Sequence, residues 1–139
     1  MNRPSILISL DKQEAQFEPG EVLVGQYQIK LPPDKTAVAV ESSVLWTTTG
    51  KGEEDFGVHF FERRPKQTLS ASALREPHRL STVLPRSPLS YDGVIIQVRW
   101  SVRLRVFMDG QQFTEDCAFT LGQTSIEEYS TLENPKSEP

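Results

Sequence analysis

The sequence predicts an all-β protein, an antiparallel β-sandwich of about seven or more strands. An apolar residue occupies every second position from Val94 to Met108, whereas a helix would need apolar residues three and four positions apart. Asp109-Gly110 follows, a dipeptide that suits the positive φ angles of a type I′ hairpin turn. Turn signals also recur along the rest of the chain at short intervals, without a long helical pattern between them.

Further strands are predicted before this hairpin, in chain order over residues 6–10, 22–31, 37–49, 56–62 and 79–84. Pro19-Gly20 predicts a type II turn between the first two, because proline presets φ and glycine accepts a positive φ. In the strand over 56–62, the alternation predicts that Phe56, Val58 and Phe60 share one face. Residues 70–76 are expected to form a short helical turn.

The two-residue turn also predicts the register of the hairpin. The expected pairs are Met108 opposite Gln111, Val102 opposite Cys117, and Arg103 opposite Asp116. The last pair lies on the solvent side, where such an ion pair contributes only about 0.2–1 kcal/mol. Because apolar and polar residues alternate along the hairpin, we expect one of its faces to be buried against another layer and the other to face solvent.

Length and composition indicate one sandwich domain over residues 1–122, followed by an acidic polar tail over 123–139. No apolar run approaches the ~18 residues of a membrane helix or forms the core of a signal peptide. The single cysteine, Cys117, excludes an internal disulfide and is expected to be a buried, unreactive thiol. We therefore expect a cytoplasmic protein without membrane insertion.

The net charge of −4 argues against nucleic-acid binding, but the charge is unevenly distributed. The connection over residues 63–86 is basic, whereas the tail is acidic. One explanation is that both segments are solvated regions and that their opposite charges arise by chance. The alternative is that the tail, through Ile126, Tyr129 and Leu132, folds back on the basic connection and competes with a partner.

Candidate partner-binding residues come from these basic segments. Arg99, Arg103 and Arg105 project from one face of a single strand, which rises about 7 Å per two residues, and can meet carboxylates or phosphates. Arg63, Arg64 and Lys66 open the basic connection. The alternative is that these residues only make the surface soluble and pair with neighbours such as Asp116. A free sheet edge is the second candidate site, because edges accept extended peptides.

The sequence contains no recognisable catalytic, metal or cofactor motif. His59 is expected on the solvent side of a strand and His78 in a loop, and neither accompanies a Gly-x-Ser-x-Gly nucleophile sequence. No His/Cys pair has the spacing of zinc ligands, and the acidic run at residues 53–55 lacks the order of a calcium loop. We expect no enzyme activity, no cofactor and no bound metal.

Two segments resemble arrestin-like domains. Phe17-Glu18-Pro19-Gly20-Glu21-Val22, followed by Gly25 and Ile29, resembles their early strand signature. The run from Leu84 to Gly93 is similar to the proline- and serine-containing connection that precedes a long strand in that family. The resemblance spans residues 5–121 and implies an immunoglobulin-like sandwich of the arrestin N-terminal type. Arrestins join two such sandwiches, and this chain has room for one. It also lacks their Pro-Pro-x-Tyr sequence.

The resemblance implies a protein-interaction module, and the leading expectation is a non-enzymatic adaptor that binds a protein through a sheet edge or a basic face. The alternative is a ligand-binding or accessory subunit that recognises a small anionic molecule or an enzyme partner. A deep, enclosed pocket with convergent polar groups would favour the alternative. The oligomeric state stays open.

Overall fold

The computed structural model describes residues 3–50, 52 and 54–122. They form nine strands: β1 (Ser5–Leu10), β2 (Gln16–Phe17), β3 (Val22–Lys30), β4 (Ala39–Gly50), β5 (Asp55–Arg63), β6 (His78–Val83), β7 (Tyr91–Asp92), β8 (Ile96–Met108) and β9 (Gln111–Leu121). A 3₁₀ turn (Lys66–Thr68) and a short helix, α1 (Ala71–Arg75), lie between β5 and β6. The predicted all-β class is confirmed, and so is the helical turn, which Ser70 caps by accepting a hydrogen bond from the backbone N–H of Ala73. The predicted tail, 123–139, and its docking lie outside the described residues.

The strands form two layers. One sheet has the order β1-β3-β6, and the other has the order β2-β9-β8-β4-β5, with β7 paired to β8 beside this path. Apart from the short parallel pair of β2 with β9, the pairings are antiparallel. The inner faces of both sheets contribute to one core, as alternation requires. This is the predicted β-sandwich.

The hairpin of β8 and β9 has the predicted turn and register. Asp109 and Gly110 have φ angles of 53° and 69°, as a type I′ turn requires. All three predicted pairs occur: Met108 with Gln111, Val102 with Cys117, and Arg103 with Asp116. The strand begins later than the alternation predicts, however. Val94 is 92% exposed and precedes β8, because the chain turns there with a hydrogen bond from the N–H of Gly93 to the carbonyl of Ile96.

The connection before β8 is tied to the core by specific hydrogen bonds. The indole N–H of Trp100, which is fully buried, donates to the carbonyl of Pro88 at 2.7 Å. Ser90 pairs with Leu121 in both directions, since its own N–H donates to the Leu121 carbonyl and its hydroxyl accepts from the Leu121 N–H. These contacts give the proline- and serine-containing segment a structural role in the sandwich.

Candidate functional site

A groove of about 460 Å³ crosses the outer face of the larger sheet, over strands β8, β4 and β5. Alternation along β4 and β8 places their lining side chains on this face. They include Arg103 and Arg105 from β8, Leu45 from β4, and Phe56, Val58 and Phe61 from β5. The groove therefore combines two guanidinium groups with an apolar rim.

The apolar rim exists because of an irregularity between β4 and β5. The register shifts between Val44 and Leu45, so that Val44 lies opposite Phe60 while Leu45 lies opposite Val58. His59 is the extra residue of this bulge, and a bulge reverses the faces of the residues beyond it. The prediction that Phe56, Val58 and Phe60 share a face was wrong. Only Phe60 packs against the core, and the other two side chains are exposed.

Arg103 is engaged by its predicted neighbour. Its Nε and Nη2 donate to the two carboxylate oxygens of Asp116 at 2.8 and 3.0 Å. This bidentate pair raises the pKa of Arg103. The pair fixes the guanidinium on the β9 side of the groove, so Arg103 contributes a charge that is already largely compensated.

Arg105 is different, because no acceptor in the described part of the chain bonds its buried Nε atom. Glu41 lies directly opposite on β4, but its carboxylate is 3.5 Å from Nη1 of Arg63. Among the described residues, Arg105 also takes part in no ion pair. A buried guanidinium nitrogen without an acceptor is costly, and the guanidinium of Arg105 lines the groove, where a carboxylate or phosphate can bind it.

The six predicted arginine and lysine residues do not form one surface. Arg103 and Arg105 line the groove, and Arg63 reaches its border through Glu41. Arg99 is exposed but lies beside a second depression, where its guanidinium donates to the side chain of Gln97. The exposed Lys66 begins the 3₁₀ turn, away from both.

Arg64, a predicted partner-binding residue, is withdrawn from solvent, with only 9% of its surface exposed. Its Nε and Nη2 donate to the hydroxyl and the carbonyl of Thr68, both at 3.2 Å. The guanidinium also lies 5.9 Å from the centroid of the Tyr27 ring, whose pKa is raised by burial. Arg64 therefore holds the chain reversal after β5 against the core.

The two histidines join the edges of the two sheets. His59 is exposed, as predicted, and its Nε2 lies 2.7 Å from the carbonyl of Val83 at the end of β6. His78 lies in β6 and not in a loop, and its Nε2 is 3.3 Å from the Glu62 carboxylate on β5. His59 Nε2 also lies 3.2 Å from the Thr82 hydroxyl, so both imidazoles bridge β5 and β6.

The described residues contain neither a metal-binding cluster nor a membrane-spanning helix. No group of three or more His, Cys, Asp or Glu side chains among residues 3–50, 52 and 54–122 is arranged to hold a metal ion. In the same part of the chain, no helix has the length and apolar character needed to cross a membrane.

Comparison with known proteins shows the class of fold. No protein-family model matches the sequence, and no curated protein matches it. Among solved structures, the chain is similar to Spo0M, a sporulation control protein from Bacillus subtilis, with a TM-score of 0.60 and 13% sequence identity. The match covers 86% of this chain and 49% of that one, so the chain spans about half the length of the protein it resembles. Spo0M has an arrestin-like fold, and the sandwich described above is likewise arrestin-like.

Proposed function

We propose that this chain is a non-enzymatic protein-interaction module that binds a partner in the groove on the outer face of its larger sheet. The observation that carries the proposal is Arg105, whose buried Nε has no acceptor among the described residues and which lines the same groove as the exposed apolar rim. A cytoplasmic location accompanies the proposal, because the only cysteine, Cys117, has no partner for an internal disulfide.

The lining of the groove supports an extended segment of a partner protein as its occupant. Phe56, Val58 and Phe61 offer apolar contact along β5, and Arg105 offers a guanidinium two strands away. Neighbouring strands lie about 4.8 Å apart, so a partner segment can place an apolar side chain on the rim and a carboxylate on Arg105 together. Aromatic and arginine side chains are also those that most often dominate the binding energy of interfaces.

The alternative, recognition of a small anionic molecule, draws support from Arg105 alone. Small ligands generally bind in pockets that enclose most of their surface and offer several convergent polar groups. The groove is instead open along β5, where the lining side chains of Phe56, Val58 and Phe61 are exposed. This geometry favours a protein partner. The similarity to a protein named for sporulation control is compatible with a regulatory module.

Site-specific photocrosslinking tests the proposal. A photoreactive benzoylphenylalanine is placed at Ser43, which lines the groove on β4, or at Gln26, which is exposed on the central strand of the opposite sheet. We expect one protein to crosslink at position 43 in the native cell and not at position 26. Arg105→Glu should lower the affinity of the purified pair about tenfold or more, because it opposes the partner's carboxylate. Equal crosslinking at both positions, or unchanged affinity of Arg105→Glu, would contradict the proposal.

A further inference from the structure

Strand β5 is an open edge of the larger sheet. It pairs with β4 and, in the described part of the chain, with no other strand. An edge strand leaves backbone N–H and C=O groups free on one side, where they can pair with another chain. The N–H of Phe56 is already occupied by the Asp55 carboxylate, so the free edge begins beyond it.

The composition of β5 is unusual for an exposed edge. Of the features that commonly protect edge strands, β5, DFGVHFFER, lacks lysine and proline but has the bulge at His59 and charged residues at its ends. Three of its large apolar side chains are exposed: Phe56 by 65%, Val58 by 52% and Phe61 by 56%. By comparison β1, the edge of the smaller sheet, exposes one large apolar side chain, Leu7. Exposed apolar patches of this kind often mark protein-interaction surfaces, so the apolar side chains of β5 are a candidate interface.

The charges at the two ends of β5 indicate which partner fits. Asp55 begins the strand, directly after Glu54, and Arg63 ends it with a side chain that is 59% exposed. Arg63 contacts Glu41 only at 3.5 Å, which leaves it able to bind a second carboxylate. When two copies of β5 pair antiparallel, the acidic end of each lies beside the basic end of the other, and the apolar residues meet between them. Such self-complementarity is the property of a contact related by two-fold symmetry.

We infer that β5 is the interface between two copies of this chain, which pair edge to edge in antiparallel fashion. The larger sheets of the two copies then form one continuous sheet, in which His59, the middle residue of the nine in β5, lies near the two-fold axis. The backbone edge supplies the hydrogen bonds of the pair, and Phe56, Val58 and Phe61, which also line the proposed partner groove, come next to their copies across the axis. The two proposals therefore share this apolar rim, and the dimer is tested without a partner so that either can fail alone.

Sedimentation velocity of the purified protein, without any partner, tests this dimer. From low to high micromolar concentration the chain should change from monomer to dimer. Val58→Lys places a charge in the middle of the interface and should raise the dissociation constant about tenfold or more. Leu7→Lys is the matched control, since Leu7 is also an exposed apolar residue on an edge strand. It should leave the dissociation constant unchanged. A chain that stays monomeric throughout, or equal effects of both variants, would overturn the inference.

A charge exchange makes the test independent of folding defects. Asp55→Arg gives β5 two basic ends, and Arg63→Asp gives it two acidic ends. Each variant alone should be monomeric, because its own ends repel one another in the antiparallel pair. An equal mixture of the two should form a heterodimer in which both ends are complementary. Failure of the mixture to associate, with both variants folded by circular dichroism, would contradict the antiparallel arrangement.

Discussion

Gly57 shows how one residue on the core side of β5 accommodates a large neighbour on β4. It lies opposite Trp46 in the β4–β5 pair, and a Cβ atom at this position would lie only 2.5 Å from Nε1 of the Trp46 indole. The indole thus occupies the space that a side chain on β5 would fill. Because Trp46 packs against the core, the ring has little room to move away.

Gly57→Ala should therefore destabilise the fold by about 1–3 kcal/mol, the usual cost of overpacking. The free energy of unfolding, measured in urea, checks this value. In a Trp46→Leu background the same substitution should cost much less, since the clashing ring is absent. The same cost in both backgrounds would show that the strand geometry, and not the indole, requires glycine.

Cys117 supplies a second prediction at this scale, which concerns its reactivity. The prediction of a buried thiol is met only in part, because Cys117 is half-buried; its side chain packs against the core opposite Val102, and this burial raises the pKa of the thiol above the ordinary 9.0. Only the thiolate reacts with disulfide reagents, so the folded protein should react more slowly at pH 8 than the urea-unfolded protein. The unfolded thiol also ionises first as the pH rises above about 9, so stability should fall there, and Cys117→Ser should remove that loss. Equal reaction rates in both states would contradict the assigned burial.

At the scale of elements, the hairpin could be predicted from sequence and the outer face of β5 could not. Strict alternation and Asp109-Gly110 act locally, so they determine the strands, turn and register of β8 and β9. The faces of β5 depend instead on a bulge that forms against β4. The adjacent pair Phe60-Phe61 was the available signal, because two neighbouring aromatic residues cannot face the same side of a regular strand. Charge alone could not separate the buried Arg64 from exposed arginines, since its burial depends on the chain reversal.

The turn should contribute more to the hairpin than its cross-strand ion pair. Gly110 has a φ of 69° and open space around the position of a Cβ atom, so Gly110→Ala measures only the cost of the left-handed backbone, about 1 kcal/mol. Asp116→Asn removes the exposed pair with Arg103 and should cost less than about 1 kcal/mol. Urea unfolding of the two variants gives the comparison. A larger loss for Asp116→Asn would show that the ion pair, and not the turn, dominates the register.

The whole molecule is a sandwich of two unequal sheets. The strands β1, β3 and β6 have 6, 9 and 6 residues, whereas β4, β8 and β9 have 12, 13 and 11. Shorter strands make fewer ladder hydrogen bonds and bury less apolar surface, so the smaller sheet should open more readily. The candidate groove and the β5 edge both belong to the larger sheet, which provides the more rigid platform for binding.

His59 should restrain the smaller sheet from this platform, because its imidazole reaches the Val83 carbonyl at the end of β6. His59→Leu removes that hydrogen bond from an exposed site, so the global free energy of unfolding should fall by only about 0.5–1.5 kcal/mol. Native-state hydrogen exchange should show the larger effect, namely faster exchange of the β6 amides with unchanged exchange in β8 and β9. Thr82→Val is the matched control, since it removes the weaker 3.2 Å contact of the Thr82 hydroxyl with His59 and leaves the Val83 carbonyl bonded. An equal acceleration of exchange in both sheets would mean that the sandwich opens as one unit, and that the bond does not hold β6 to β5 separately from the core.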